Sequence, residues 1–187
     1  SRGLGDVYKR QDVRTAGELL DIYLDAVGAN ASLLLNIPPD THGRIAAPDC
    51  ASLAELGAKI RQIFADSVTE KAAITADSAI AQHPITQAVD GMANTYWQAA
   101  YGQEFDTITL KFPKPQKVSC VVLGEHLPTG QRIESGEIWA DGSKVAEFTV
   151  VGHKRICRLT PVDVQTLTIK ITASRTEPTL RLLAVYQ

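Results

Sequence analysis

The sequence lacks the features that direct a chain to a membrane, to nucleic acid or into a disulfide framework. Its three cysteines, Cys50, Cys120 and Cys157, lie far apart and form no CxxC pair, so we expect three buried thiols and neither a disulfide framework nor a zinc site. No run of 18 apolar residues occurs, so we expect no membrane-spanning helix. With a formal net charge of -2 and scattered Lys and Arg, we expect neither a nucleic-acid nor a membrane partner.

The remaining composition is that of an ordinary globular protein. Of the 187 residues, 44% are apolar and 21% are charged, which is sufficient for a sizeable buried core. Residues 1–11 are an exception, because they show neither helical nor strand periodicity. We expect a non-native or disordered terminus there and exclude it from the fold prediction.

Residues 12–66 predict a helix, a strand and a second helix. Thr15 and Glu18 have the spacing of a capping box, and leucines follow at helical intervals. The unbroken apolar run SLLLNI, residues 32–37, is typical of a strand covered on both faces, as in parallel sheets flanked by helices. Pro48 fits the first turn of the second helix. This order is that of one unit of a βα repeat.

One such unit cannot close a sheet by itself. A (β/α)8 barrel takes ~250 residues, so we interpret residues 12–66 as its last unit, an α/β fragment. Active sites of these barrels lie at the carboxyl ends of the strands. We therefore expect the loop after the strand, with Asn36, Pro38, Asp40 and His42, to face a substrate.

From residue 75 onward the apolar period changes to two. Apolar residues alternate in TITLKF, residues 107–112, and in TLTIKIT, residues 166–172, which predicts half-buried strands. Several further short runs follow at near-regular spacing between turn signals. This pattern predicts an all-β sandwich over residues 75–187, with residues 67–74 as a linker.

Separate stretches carry a resemblance to known families. NASLLLNIPPDTHGRI, residues 30–45, resembles the last strand and loop of the catalytic barrel of glycoside hydrolase family 29, the α-L-fucosidases. Residues 123–142 and 151–159 resemble the discoidin-like (coagulation factor 5/8 type C) domain that follows that barrel in many bacterial and plant fucosidases. AVDGMANTYWQA, residues 88–99, is similar to a segment near the start of discoidin-like domains. The resemblance covers about residues 13–187.

The resemblance implies that the parent protein is a retaining exo-glycosidase that releases L-fucose from a fucosylated oligosaccharide or glycoprotein glycan. The Pro-Pro pair after Ile37 favours the subgroup of this family that cuts α1,3 and α1,4 fucosyl linkages. In this family an Asp nucleophile and a Glu acid/base, ~5 Å apart, lie on earlier strands or loops. The resemblance therefore implies no catalytic residue in this chain, no required cofactor, no activity of the chain alone, and a periplasmic or extracellular parent.

The candidate residues of the strand-end loop have alternative interpretations. Asn36 either supports the loop or donates to a sugar hydroxyl, and Pro38 directs the chain either along a pocket wall or through a plain turn. Asp40 and His42 either reach substrate or lie on solvated surface.

Three basic residues lie in the stretches that match fucosidases best: Arg132, Lys154 and Arg155. We expect them to pair with barrel carboxylates across a domain interface; the alternatives are ordinary surface ion pairs and contacts with a glycan.

Asp90 and Thr95 match a loop that often wraps a calcium ion in discoidin-like domains, since hard cations take oxygen ligands. Leu182 stands where a glutamate is often found in the final strand. A loop with a bound structural calcium and a loop without one are therefore both alternatives.

The alternative function is a stand-alone carbohydrate-binding sandwich without hydrolytic activity. Exposed aromatic side chains would favour it. A third alternative, a membrane-adhesion module, would need apolar loop tips ringed by Lys and Arg, and the sequence shows no such loop.

Overall fold

The computed structural model describes residues 13–40 and 42–187; the prediction for residues 1–11 lies outside them. Two helices come first, α1 at Ala16–Val27 and α2 at Ala47–Ile63. The predicted capping box of α1 is confirmed, because the Glu18 amide donates to Thr15 Oγ1 at 3.3 Å and the Thr15 amide donates to Glu18 Oε2 at 2.8 Å. No helix among the described residues is long and apolar enough to cross a membrane.

Residues 32–37, predicted as a covered strand, pair with no strand in the described part of the chain. Residues 31–38 form no regular secondary structure, and Leu34 is 86% exposed. Only Leu35 packs onto the small cluster that joins the two helices. A strand needs partners for its backbone N–H and C=O groups, and no described strand lies beside this segment.

The rest of the described chain is mostly β-sheet. Its strands are β1 (Ala73–Ala76), β2 (Trp97–Gln98), β3 (Asp106–Gly124), β4 (Ile133–Ala140), β5 (Ser143–Phe148), β6 (Arg155–Ser174), β7 (Thr179–Leu180) and β8 (Leu182–Tyr186). The main sheet has the order β1-β3-β6-β4-β5, and β8 also pairs with β3. The strands β2 and β7 form a small second sheet. All pairs are antiparallel.

The long ribbon of β3 and β6 belongs to both layers of the sandwich. Its register shifts between Lys111 and Gln116 and again between Val118 and Cys120, and bulges of this kind bend a strand. The first half of β3 pairs with β1 and the second half with β8. Side chains from both halves are buried in one core, so the ribbon folds over onto itself. The predicted alternation in residues 107–112 is confirmed by the buried even-numbered positions.

The predicted linker, residues 67–74, already belongs to the sandwich in part. Val68 is fully buried in the sandwich core, and its amide donates to the Val185 carbonyl at 2.8 Å. Thr69 Oγ1 accepts the Val185 amide at 2.8 Å. The chain therefore enters the sandwich beside β8, ahead of β1.

The two helices pack on the outer face of the β8-β3-β6 layer. Leu24 contacts a buried cluster on this face that contains Cys120, Val122, Ile156 and Ala184. Near the end of α1, the Ile156 amide donates to the Gly28 carbonyl at 3.0 Å.

A polar contact and an aromatic contact extend this interface. Arg158 of β6 forms an ion pair of 2.9 Å with Asp21 of α1. The rings of Phe64 and Tyr186 meet edge to face at 5.2 Å. The helical part and the sandwich are thus packed against each other from the middle of α1 to Gly28.

The cysteines differ in exposure. Burial raises the pKa of Cys120 to about 12 and that of Cys157 to about 11, so both thiols stay protonated at neutral pH. Cys120 faces the helices whereas Cys157 faces the sandwich core. The expectation of a third buried thiol is wrong, because Cys50 lies exposed in the first turns of α2.

Candidate functional site

A surface groove of about 430 Å³ lies where the N-terminal turns of the two helices meet the extended segment that ends at Pro38. Its polar lining comes from Arg14, Asn36, Asp49 and Ser52. The Ser52 hydroxyl donates to the Arg14 carbonyl at 2.6 Å and so ties the two helix starts together. Leucines form much of the rest of the wall. This combination of apolar wall and a few polar groups is typical of a small-molecule site.

The loop beyond the groove is closed by Asp40. Its Oδ1 atom accepts the amides of His42 at 2.8 Å and Arg44 at 2.9 Å. The Asp40 amide in turn donates to the Arg44 carbonyl at 2.7 Å, and Gly43 takes a φ of +72° that suits a residue without a Cβ. The Asp40 carboxylate therefore stabilises the loop that follows it, a role that the sequence did not predict.

The structure separates the four residues predicted for the strand-end site. Asn36 and Pro38 line the groove. Asp40 and His42 lie in the loop beyond it, where His42 is exposed. The predicted contacts of these side chains with a substrate stay predictions.

The described lining of the groove does not contain the pair of carboxyl groups that retaining glycoside cleavage needs. Retaining glycosidases need two carboxyl groups ~5 Å apart. Among the described residues that line the groove, only Asp49 carries a carboxylate.

Arg132 is used within the sandwich. Its Nη1 atom donates to the Glu177 carbonyl at 2.7 Å and its Nε atom to the Thr129 carbonyl at 3.3 Å. The Gly102 amide donates to Glu177 Oε1 at 2.9 Å. These contacts hold together residues 100–105, 125–132 and 175–178, which we call the loop end of the sandwich.

Lys154 and Arg155 lie at the interface with the helical part. The Lys154 ammonium group is 5.5 Å from the centroid of the Phe64 ring, and the Arg155 backbone forms an isolated bridge with Ala29. Within residues 13–40 and 42–187, none of the three predicted cations forms an ion pair. Arg158 supplies the charge contact to α1 instead. Pairing with carboxylates outside this chain stays a prediction.

Sequence reasoning missed Glu125, which is 1% exposed. Its Oε1 atom accepts the amides of Arg132 at 2.7 Å and Ile133 at 2.9 Å, and its Oε2 atom accepts the Gly152 amide at 2.6 Å. A buried carboxylate is tolerated only when it is hydrogen-bonded in this way. The available signal was a single acidic residue directly after the apolar run CVVLG, residues 120–124.

Glu125 is linked to the helical part through Gly152. The next amide along the chain, that of His153, donates to Asn30 Oδ1 at 2.7 Å. Asn30 follows α1 and has a φ of +68°, a conformation that asparagine adopts more readily than most residues. Hydrogen bonds therefore run from the end of α1 into the loop end of the sandwich.

The candidate calcium loop is closed by its own hydrogen bonds. Thr95 Oγ1 donates to the Asp90 carboxylate, 2.9 Å from Oδ1 and 2.7 Å from Oδ2, and the Met92 amide donates to Oδ1 at 2.8 Å. No group of three or more His, Cys, Asp or Glu side chains with metal-binding geometry occurs in the described part of the chain. One carboxylate and one hydroxyl fall short of the six to eight oxygen ligands of Ca²⁺, so these residues alone do not fit the ion.

The chain is similar in sequence and structure to α-L-fucosidases. No protein-family model matches it. It is 29% identical over 185 residues to alpha-L-fucosidase 1 of Arabidopsis thaliana, a match that covers 92% of this chain and 36% of that protein. The crystal structure of the protein named SpGH29 superposes with a TM-score of 0.89 at 27% identity, covering 96% of this chain and 40% of that one.

A GH29 fucosidase from Ruminococcus gnavus, whose structure contains fucose, superposes with a TM-score of 0.85 at 26% identity. That match covers 93% of this chain and 37% of the Ruminococcus chain. The chain thus spans between one third and two fifths of the length of these relatives. It is homologous to part of an α-L-fucosidase over more than nine tenths of its own length.

Proposed function

We propose that this chain is the C-terminal part of an α-L-fucosidase that releases L-fucose from fucosylated glycans. The observation that carries the proposal is the homology to fucosidases over 92% of the chain, which amounts to only 36% of the relative. In this proposal residues 12–66 supply the last unit of a (β/α)8 barrel and residues 75–187 supply a discoidin-like sandwich.

The unpaired segment 31–38 supports the barrel assignment. It lies between two helices without regular secondary structure, carries three consecutive leucines and leaves Leu34 86% exposed. Such a segment is stable as a strand only when neighbouring strands supply hydrogen bonds and an apolar cover. A barrel whose other strands lie upstream provides both.

The parent enzyme would use a retaining mechanism. An upstream Asp attacks the anomeric carbon while an upstream Glu protonates the leaving oxygen and later activates water. This chain would contribute Asn36, at the carboxyl end of the strand, as a hydrogen-bonding group for a sugar hydroxyl. Pro38 would direct the loop along the pocket wall. The parent would act outside the cytoplasm, on α1,3- or α1,4-linked fucose.

The test is fucoside hydrolysis by the longest natural protein that contains LLLNIPPD. We expect it to release nitrophenol from p-nitrophenyl α-L-fucoside or fucose from a Lewis-type trisaccharide, and the 187-residue chain to release neither. The Asn36→Ala variant of the long protein should lose activity while keeping its thermal stability. Failure of the long protein on both substrates would contradict the proposal.

A second candidate function is glycan binding by the sandwich itself. Tyr101 is 77% exposed and Phe105 is 64% exposed, and both lie in the loop end. The Gly102 and Thr176 hydrogen bonds, with the nearby charge of Arg132, hold the pKa of Glu177 down to about 2, so this carboxylate stays ionised beside Tyr101. An exposed aromatic ring next to fixed polar groups can bind a sugar.

Titration calorimetry with L-fucose and with galactose tests the second function on the 187-residue chain. Binding that is lost in Tyr101→Ala and kept in Tyr23→Ala, which alters the helical part instead, would support it. Absence of heat with both sugars at millimolar concentration would leave the sandwich as a packing domain.

A further inference from the structure

Three rings from three separate segments form one column in the sandwich. The Tyr96 ring lies between those of His83 and His126, and each pair of ring centroids is 3.8 Å apart. The planes are tilted by 22° on the His83 side and by 9° on the His126 side. His83 precedes a short 3-10 helix, Tyr96 directly precedes β2, and His126 follows β3. The column therefore clamps three segments that are far apart in sequence.

The environment of His126 disfavours a proton. Its Nδ1 atom is buried and has no hydrogen-bond partner within the described chain. Burial, followed by the charges of His83, Arg181 and Arg132, lowers the pKa of His126. The neighbouring carboxylate of Glu125 is already occupied by backbone amides. A protonated His126 would therefore face the charges of Arg181 and Arg132 without a hydrogen-bond acceptor for its Nδ1 proton in the described chain.

His83 has a different environment. Its Nδ1 atom lies 3.1 Å from the side-chain oxygen of Gln87, so a protonated His83 keeps an acceptor. One imidazolium over a tyrosine ring is favourable as a cation–π contact. Two would place like charges on opposite faces of the same ring, which is unfavourable. A second proton in the column is therefore disfavoured.

We propose that the His83–Tyr96–His126 column is an acid-sensitive clip that keeps the loop end of the sandwich closed and opens when both histidines carry a proton. His126 starts the turn that follows β3, since its carbonyl accepts the amide of Thr129 at 3.1 Å and the Thr129 hydroxyl at 2.8 Å. Movement of the His126 ring moves this turn.

The opening would spread through contacts already described. Arg132 ends the turn and binds the Glu177 carbonyl at 2.7 Å, while the Glu177 carboxylate accepts the Gly102 amide at 2.9 Å. Loosening of the turn would therefore release the loop that carries Tyr101 and Phe105. Acid would change the exposure of these aromatic side chains.

The direction of the pH effect follows from proton linkage. The pKa of His126 in the folded protein lies below its ordinary value of about 6.5. The closed column is therefore fully stabilising above about pH 6.5, where the histidine is neutral in both the folded and the unfolded state. As the pH falls below that value, the unfolded or opened chain binds more protons and the stabilisation is lost.

The first test is a histidine NMR titration of the 187-residue chain. The chain has four histidines. We expect His126 to titrate below the ordinary histidine value of about 6.5, and at higher pH in His83→Phe than in the wild type. A His126 titration at or above that ordinary value, or one that His83→Phe does not move, would overturn the proposal.

The second test is amide hydrogen exchange of residues 127–132, corrected for the intrinsic pH dependence of exchange. In the wild type we expect exchange to rise at least about fivefold between about pH 7 and about pH 5, because local opening becomes more frequent. His126→Phe keeps a ring in the column and removes the proton, so the rise should vanish. If that variant does not fold, His83→Phe gives the same comparison with one histidine left. An equal rise in wild type and variant would refute the clip.

Discussion

At the scale of single residues, Glu125 is the group on which most of the loop end depends. Three backbone amides from two loops donate to its carboxylate, and the side chain is almost fully buried. A hydrogen bond to a charged group contributes about 1.5–3 kcal/mol, and loss of a partner leaves a buried amide unsatisfied. A change at Glu125 should therefore lower the stability of the sandwich as a whole.

We predict that Glu125→Gln lowers the free energy of unfolding by about 1.5–3 kcal/mol. The substituted amide keeps one acceptor oxygen, but its NH₂ group would oppose the backbone donors on the other side. Urea unfolding measures the change. The matched control is Glu134→Gln on β4, which removes only an exposed ion pair with Arg175 and should cost about 0–1 kcal/mol. Equal effects of the two changes would contradict the role assigned to Glu125.

The Asp90 loop leads to a prediction about metal. Because Thr95 and Met92 already satisfy the Asp90 carboxylate, we expect calcium chloride and EDTA to give the same melting temperature. Asp90→Asn should lower that temperature equally in both buffers, since it weakens the hydrogen bonds of the loop. A rise in melting temperature with calcium that Asp90→Asn abolishes would show that the loop completes its ligand set with carbonyls and water.

At the scale of secondary-structure elements, the contact between the end of α1 and the turn before β6 joins the two parts of the chain. Gly152 has a φ of +58°, and a Cβ on it would lie 2.4 Å from Asn30 Nδ2. The position therefore needs glycine for its backbone and for the close approach of Asn30. A side chain there would push α1 away from the sandwich.

Gly152→Ala should destabilise the chain by more than Gly91→Ala. Gly91 has a φ of +72° with open space around it, so alanine there costs only the backbone term of about 1–2 kcal/mol. At Gly152 the clash with Asn30 adds to that cost. The double change Gly152→Ala with Asn30→Gly removes the clash but also the acceptor of the His153 amide, so it should recover part of the difference. Denaturant unfolding of the four proteins tests this, and equal losses at both glycines would show that the contact does not matter.

At the scale of the whole molecule, the exposed apolar side chains of the helical part bear on the proposed barrel. Leu34 is 86% exposed and Ile45 is 49% exposed. Single exposed apolar side chains are common, and a neighbouring surface that covers them adds stability by removing apolar area from water. The proposed barrel would bury the first of them between strands and helices.

We predict opposite effects of Leu34→Ser in the chain alone and in the long protein. In the 187-residue chain the change should reduce self-association, measured by light scattering, because it removes an exposed apolar group. In the long protein it should lower the free energy of unfolding by about 2–5 kcal/mol, as core truncations do. Leu127→Ser, at a position 39% exposed in the sandwich, is the control and should have little effect in either protein. No loss of stability in the long protein would argue against the barrel.

Local sequence signals were sufficient for features that depend on neighbours along the chain. The capping box of Thr15 and Glu18, the helix after Pro48 and the two-residue alternation in the strands all follow from short-range geometry, and the structure contains each of them. The resemblance of residues 30–45 to α-L-fucosidases likewise rests on a short stretch, and the comparisons confirm homology to these enzymes over most of the chain. The resemblance of residues 123–142 to a discoidin-like domain stays a prediction.

Only the tertiary structure decided what depends on distant contacts. The run SLLLNI has the composition of a buried strand, yet no described strand lies beside it to supply hydrogen bonds. The fold-over of β3 and β6, the burial of Glu125 and the column of His83, Tyr96 and His126 join residues that are far apart in sequence. Sequence determines which groups can form strands, caps and buried contacts, whereas the packing of the chain decides which of those groups meet.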